Sequence, residues 1–165
     1  MSMITTRLYV VRHATAEDLS ADGGDHSRRL TRKGRKRFAR LVRRLVRGGM
    51  EIDVIATSPL VRTMETAEIL AAELPRRPRI EVVEPLAPGS DWHKLVEWTI
   101  RQDAASVAWV GHAPCVGRLI ARSIGDGSAG VRMQKGAVAA IALDDGPGQP
   151  GELEWLVTPD FIGRR

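Results

Sequence analysis

Four side chains suited to phosphate chemistry stand just after apolar runs of the sequence. Arg12 and His13 directly follow one run, His112 follows a second after one glycine, and Arg62 stands a few residues after a third. Guanidinium groups bind phosphate oxygens through paired hydrogen bonds. A neutral imidazole can act as a nucleophile toward phosphorus. Each residue alone also fits a strand-end charge or a solvated loop histidine, so their placement in the fold has to decide.

The apolar runs predict strands that are buried on both faces, as in the centre of a parallel sheet. Helical patterns alternate with them, and a turn-forming segment, 144–148, joins the last two strands into a hairpin. This order predicts an α/β fold, a three-layer α/β/α sandwich with a mostly parallel central sheet and an antiparallel edge. The predicted strands cover 8–11, 52–57, 80–83, 107–110, 137–143 and 153–157. Because the carboxyl ends of parallel strands share one edge, the four residues are expected to meet there.

Helix boundaries also point to that edge. Thr31 is predicted to cap a helix that Gly48 and Gly49 end, and a further helix is expected from Asp91 to Gln102. Ser58 followed by Pro59 predicts a helix start with Ser58 as the cap, and Pro114 predicts another. Both helix amino termini would add backbone donors and partial positive charge to the anion site.

Four motifs, in order, resemble the histidine phosphatase superfamily. They are Leu8–Glu17, Arg29–Gly34, Ser58–Ala67 and Val110–Pro114. More narrowly, the chain is similar to the small phosphohistidine phosphatases of the SixA type. The resemblance implies a phosphoglycerate mutase-like fold and one histidine phosphatase domain over residues 1–165.

The resemblance assigns roles to the four residues. His13 matches the nucleophile that becomes phosphorylated, Arg12 and Arg62 match the phosphate clamps, and His112 matches the second histidine that contacts the phosphoryl group. The implied reaction transfers the phosphoryl group to His13 and then hydrolyses the phosphohistidine. It needs no metal or other cofactor.

Two carboxylates depart from the family pattern. Glu84 lies in the loop where larger relatives carry the general acid, but Pro85 occupies the matching position, so Glu84 is either the acid or a strand-end surface charge. Glu65 stands where many relatives have glutamine. Its charge, one turn from Arg62, is expected to weaken phosphate binding.

The segment between Glu84 and Val107 has no long insertion of the kind that forms a lid in larger relatives. A shallow, open site suits a phosphorylated protein, so phosphohistidine in a signalling or phosphotransfer protein is the expected substrate. A small phosphate ester stays open as a substrate. A catalytically weak phosphate-binding regulatory module is the alternative to an enzyme.

The net charge of +5 is concentrated in one stretch. Eleven of the 25 Lys and Arg residues lie between Arg28 and Arg47, mostly on the predicted helix 32–47. Aromatic residues make up 4% of the chain and no nucleic-acid motif occurs, which argues against a nucleic-acid partner. A solvated face or an acidic protein partner remains.

The single cysteine, Cys115, excludes an internal disulfide and fits a reducing compartment. It reads as a packed residue in a first helical turn. The amino-terminal apolar run is too short for a signal peptide or a membrane span. We therefore expect a cytoplasmic protein without a membrane partner.

Overall fold

The computed structural model describes residues 5–163 and contains six strands and four α-helices over that range. The strands are β1 Thr6–Arg12, β2 Val54–Thr57, β3 Arg79–Val82, β4 Ser106–Gly111, β5 Val138–Leu143 and β6 Glu152–Val157. The helices are α1 Arg32–Arg47, α2 Val61–Glu73, α3 Trp92–Gln102 and α4 Cys115–Ile124. Two 3₁₀ turns, Glu84–Leu86 and Pro159–Ile162, follow β3 and β6.

All six strands form one sheet in the order β3-β2-β4-β1-β5-β6. β3, β2, β4 and β1 pair in parallel, and β5 pairs antiparallel with both β1 and β6. The predicted mixed sheet with an antiparallel portion at one side is confirmed.

Alternate strand residues face two separate apolar layers. Tyr9 and Val11 pack with α1 and α2, whereas Leu8 and Val10 pack with α3 and α4. Successive side chains of a strand point to opposite faces of its sheet, so a run without polar residues is stable only between two layers of helices. The structure is the predicted three-layer sandwich.

Helix α1 follows the sequence rules closely. Thr31 Oγ1 accepts a hydrogen bond from the Gly34 N–H (2.8 Å), as an N-cap side chain does, and Gly48 is the C-cap. The buried residues Gly34, Phe38, Leu41 and Val42 recur at helical spacing and face the sheet.

The predicted cap of α2 is wrong. The helix begins at Val61 with Leu60 as its N-cap residue, three positions after Ser58. Ser58 instead continues the sheet pairing, because its N–H donates to the Val110 carbonyl (3.1 Å). Pro114 is likewise the N-cap residue of α4, and the helix itself begins at Cys115.

No helix within residues 5–163 is long and apolar enough to cross a membrane.

Candidate active site

The ends of β2, β4 and β1 lie side by side and carry the predicted residues. Thr57 of β2 is in register with Val110 of β4, and Gly111 is in register with Arg12 of β1. His13 extends the pairing because its N–H donates to the Gly111 carbonyl (3.0 Å). This register places His13 and His112 next to each other, with ring centroids 5.4 Å apart.

His13 is held in one tautomer. Its ring Nδ1–H donates to the carbonyl oxygen of Ala14 (2.7 Å), which leaves Nε2 without a proton. The side chain is 6% exposed. Burial, with smaller effects from the charges of His112, Arg62 and Arg12, lowers the pKa of His13 to about 3. The imidazole is therefore neutral at physiological pH and carries a free lone pair.

His112 is fixed by Ser58. The Leu60 N–H donates to Ser58 Oγ (3.3 Å), and Ser58 Oγ also hydrogen-bonds His112 Nε2 (2.8 Å). The Ser58 hydroxyl has no other acceptor among the described residues, so we assign the proton of this bond to Ser58. The proton of the neutral ring then lies on Nδ1. Burial and the charge of Arg62 lower the pKa of His112 to about 4, which keeps the ring neutral.

Arg12 projects from the end of β1 toward the segment before β5. Its Nη1 donates to the Met133 carbonyl (2.9 Å), which orients the guanidinium. Arg62 lies in the first turn of α2 and is 5% exposed. Its Nη1 and Nη2 donate to the backbone carbonyl (2.8 Å) and the carboxylate (3.1 Å) of Asp25.

Three buried polar atoms of this cluster have no hydrogen-bond partner within the described part of the chain: Arg12 Nε, Arg62 Nε and His112 Nδ1. All three are N–H donors in the protonation states derived above. A buried donor without a partner is costly, on the order of 1–3 kcal/mol. Three of them around a histidine suit an anion that accepts several hydrogen bonds, and phosphate is such an anion.

Thr66 connects the segment that carries His13, the candidate nucleophile, with Arg62, a candidate phosphate-binding residue. Its hydroxyl accepts from the Ala14 N–H (3.1 Å) and donates to the Arg62 carbonyl (2.6 Å). Thr66 thus ties the residue after His13 to the first turn of α2.

Glu65 points away from this cluster. Its carboxylate accepts hydrogen bonds from Arg29 Nε (2.8 Å) and the Leu30 N–H (2.8 Å), and it also pairs with Arg35 (2.5 Å). Burial alone would raise the pKa of Glu65, but these donors hold it below its ordinary value. Two arginines offset the charge that was expected to weaken phosphate binding.

Glu84 is the predicted site residue that the structure does not place with the two histidines and two arginines. It is exposed at the start of the 3₁₀ turn after β3. Its carboxylate makes no hydrogen bond or ion pair within residues 5–163. Glu84 lines a neighbouring groove of about 1170 Å³ that also includes Cys115.

Three residues of the site have roles that the sequence patterns did not predict. Thr66 stands four positions after Arg62, a helical spacing that places it on the same face, so this signal was available. Ser58 was interpreted only as a helix cap. Asp25 lies in the polar loop 37 positions before Arg62 and has no local signal.

Comparison with known proteins identifies the family. The model of the histidine phosphatase superfamily (branch 1) matches residues 8–126 of the 165. This chain belongs to the histidine phosphatase superfamily. An uncharacterized protein of Picosynechococcus sp. is 34% identical over 164 residues, which cover 94% of this chain and 98% of the relative.

Solved structures of the superfamily have the same fold. The protein histidine phosphatase SixA complexed with tungstate is 26% identical with a TM-score of 0.83, over 95% of this chain and 99% of that one. An α-ribazole phosphatase from Shigella flexneri is 18% identical with a TM-score of 0.68, over 93% and 97% of the two chains. The second likeness shows the fold alone. Superfamily membership and the likeness to SixA support a phosphatase.

Proposed function

We propose that this chain is a protein phosphohistidine phosphatase that works through a phosphorylated His13. The observation that carries the proposal is the fixed tautomer of His13 beside three buried N–H donors. Its Nδ1 is bound to Ala14, so Nε2 is the free nitrogen. Arg12 Nε, Arg62 Nε and His112 Nδ1 are buried donors without an acceptor in the described residues, and we assign phosphoryl oxygens as their acceptors.

The reaction has two balanced steps. In the first, His13 Nε2 attacks phosphorus, the new N–P bond forms, and the bond from phosphorus to the substrate's leaving atom breaks with its electrons staying on that atom, so that a phosphohistidine protonated on its other ring nitrogen leaves as a neutral imidazole. In the second, water attacks the phosphohistidine, the protons of the water go to the released phosphate or to solvent, and the N–P bond electrons return to Nε2. The two arginines and the His112 N–H stabilise the charge on the phosphoryl oxygens in both steps. We propose that neither step uses a metal or other cofactor.

The leaving group favours phosphohistidine as substrate. A leaving imidazole is a much better leaving group than an alkoxide or a phenolate, since its pKa is about 6.5 compared with about 10 for a tyrosine phenol. It therefore needs little help from a general acid. Asp25, the carboxylate bound to Arg62, cannot give that help: burial raises its pKa, but Arg62 and Arg28 hold it below its ordinary value, so it is ionised. For an ester substrate, Glu84 is the candidate proton donor from the mouth of the neighbouring groove.

The test compares two substrates in the presence of EDTA. A short phosphohistidine peptide and an aryl phosphate are incubated with the native chain, with His13→Ala and with His93→Ala. The last variant is the control, because it removes an exposed histidine on α3 instead of His13. We expect the native chain and the control to hydrolyse the peptide faster than the aryl phosphate. His13→Ala is expected to be inactive on both.

A single-turnover experiment with radiolabelled substrate identifies the intermediate. Label should appear on the native chain in an acid-labile, alkali-stable form, as a phosphohistidine requires, and be absent from His13→Ala. Phosphate binding without turnover in the native chain would instead indicate a regulatory phosphate-binding module. Turnover of the aryl phosphate alone would indicate a small phosphate ester as substrate.

A further inference from the structure

Helix α1 carries charge of one sign only. Residues 31–50 contain no Asp or Glu. The basic residues of the helix are Arg32, Lys33, Arg35, Lys36, Arg37, Arg40, Arg43, Arg44 and Arg47. We call their surface the basic face of α1.

The basic face covers the whole length of the helix, about 24 Å for 16 residues. The opposite side, with Phe38, Leu41 and Val42, is buried against the sheet. Carboxylates offset only three of the charges: Arg35 pairs with Glu65, Arg37 with Asp160 and Arg43 with Glu73. The other six have no ion pair within residues 5–163, and these are Arg32, Lys33, Lys36, Arg40, Arg44 and Arg47.

This pattern of like charges destabilises α1 as an isolated helix. Like charges stand four residues apart at several places, for example Arg32 with Lys36 and Arg40 with Arg44, and such pairs repel. Helix α3 of the same chain is different, because Arg101 stands four residues after Glu97 and pairs with it (4.0 Å). Mixed charges, as on α3, are enough to keep a face in solution without this repulsion, so the single sign of α1 favours an anionic partner.

The basic face begins beside the active site. The Thr31 N–H donates to the Thr15 carbonyl (2.9 Å), and Thr15 stands two residues after His13. The Gly34 backbone packs so closely on Thr15 that an added Cβ would lie 2.3 Å from the same carbonyl oxygen. Lys33 and Lys36 therefore lie in the two turns of α1 nearest the catalytic edge.

We propose that the basic face of α1 docks the acidic surface of the phosphorylated protein substrate. This inference rests on the proposed function, since the phosphoryl group at His13 is what brings the partner to the helix. A protein interface of ordinary size buries about 800 Å² on each partner, enough to span the site and the first turns of α1. A single-stranded nucleic acid fits less well because the single aromatic residue of the helix, Phe38, is buried and offers no stacking surface. A duplex, which needs only phosphate contacts, is distinguished by the test below.

The test reverses charge on the docking surface and, as a control, elsewhere. Lys33→Glu, Lys36→Glu and Arg40→Glu are combined in one chain, and these three make no ion pairs within the described residues. The control combines Arg76→Glu, Arg77→Glu and Arg101→Glu, which are exposed near the carboxyl ends of α2 and α3, at the opposite end of the strands. Arg101 gives up its exposed pair with Glu97 (4.0 Å), and an exposed pair of this kind contributes little to stability. Both variants change the net charge by the same amount, and unfolding curves check that both are folded.

Two substrates with the same reacting group separate docking from chemistry. One is an acidic protein phosphorylated on histidine with phosphoramidate, and the other is a short uncharged phosphohistidine peptide. At about 0.15 M salt, where distant charges are screened, we expect the α1 variant to lose at least about tenfold in kcat/KM on the protein and less than about twofold on the peptide. The control is expected to change neither value by more than about twofold. The salt dependence of kcat/KM on the protein should also flatten in the α1 variant only.

Three results would overturn the proposal. The first is an equal loss of kcat/KM in the α1 variant and the control. The second is an equal loss of kcat/KM on the protein and on the peptide. The third is that the substitutions at Lys33, Lys36 and Arg40 weaken binding of a DNA duplex but leave the kinetics on the phosphoprotein unchanged. If the native chain hydrolyses neither substrate, the proposed function fails instead. Titration of the acidic protein into the native and α1-variant chains then tests docking separately, and equal binding by both would overturn it.

Discussion

Stability should fall as the pH is lowered from about 7 to about 5, because two buried histidines resist protonation. Burial lowers the pKa of His13 to about 3 and that of His112 to about 4. In the unfolded chain both take up protons near the ordinary value of about 6.5. Between these values the unfolded state binds more protons than the native state, so the free energy of unfolding rises with pH and is lost as the pH falls.

The size of the stability loss follows from how far each histidine's pKa differs between the unfolded and the native state. At about pH 5 the solution is about 1.5 units below the unfolded pKa and still above both native values. Each unit is worth about 1.36 kcal/mol, so each histidine costs about 2 kcal/mol and the pair about 4 kcal/mol. A domain of this size is typically stable by about 5–15 kcal/mol, so the loss is a large share. Below about pH 3 the native rings are protonated as well and this contribution stops growing.

Urea unfolding at about pH 7, 6 and 5, in buffers without phosphate, measures the effect. The comparison chain carries His13→Asn and His112→Gln. Asn can still donate to the Ala14 carbonyl and Gln can still bond Ser58, so the substitutions remove titration while keeping the neighbouring bonds. We expect the native chain to lose about 4 kcal/mol over the two units and the double variant less than about 1 kcal/mol.

An equal loss in both chains would refute this reasoning, because the pH dependence would then arise outside the two histidines. A native chain with a flat profile would refute it as well, since it would mean that His13 and His112 protonate at the same pH in the folded and unfolded states.

Two further predictions concern residues that support the site. Thr66→Val leaves the buried Ala14 N–H without its acceptor and should cost about 1–3 kcal/mol and lower turnover at least about tenfold. Thr99→Val removes a buried bond, from Trp109 Nε1 (3.1 Å), that involves none of the site residues. It should lower stability similarly and leave turnover unchanged, and a loss of turnover in both would contradict a role in positioning. Gly34→Ala should lower the melting temperature because overpacking against the Thr15 carbonyl, about 1–3 kcal/mol, exceeds a helix-propensity gain of up to about 1 kcal/mol. Gly130→Ala, where an added Cβ meets nothing within 4 Å, is the control, and equal melting temperatures for the two variants would contradict the predicted clash.

The strands and most helices followed from local rules. Leu8–Val11 and Val107–Val110 predicted buried strands because uninterrupted apolar residues need helices on both faces, and both lie at the centre of the sheet. The Thr31 cap was confirmed because its hydrogen bond closes within three residues. The start of α2 could not be predicted in the same way. Ser58 is a good cap by type and its Oγ accepts from the Leu60 N–H (3.3 Å), but its backbone N–H continues the pairing with β4, and α2 starts three residues later.

The candidate site also has features that the sequence predicts and features that it does not. The types and positions of Arg12, His13, Arg62 and His112 indicated phosphate chemistry, and the parallel topology placed them at one edge. The tautomers of the two histidines and the orientation of the arginines depend on Ala14, Ser58, Asp25 and Met133. Apart from Ala14, these partners are distant in sequence from the groups they hold, so no local pattern reveals them.

Residue types, apolar spacing and motif order are enough to predict the layered fold, the family and the four candidate residues. The tertiary structure decided which nitrogen of each histidine carries a proton, how the charge of Glu65 is offset, and which donors are left for phosphate. Those properties depend on burial and on hydrogen bonds between segments that meet only after folding. They also decide the protonation states through which the site would act.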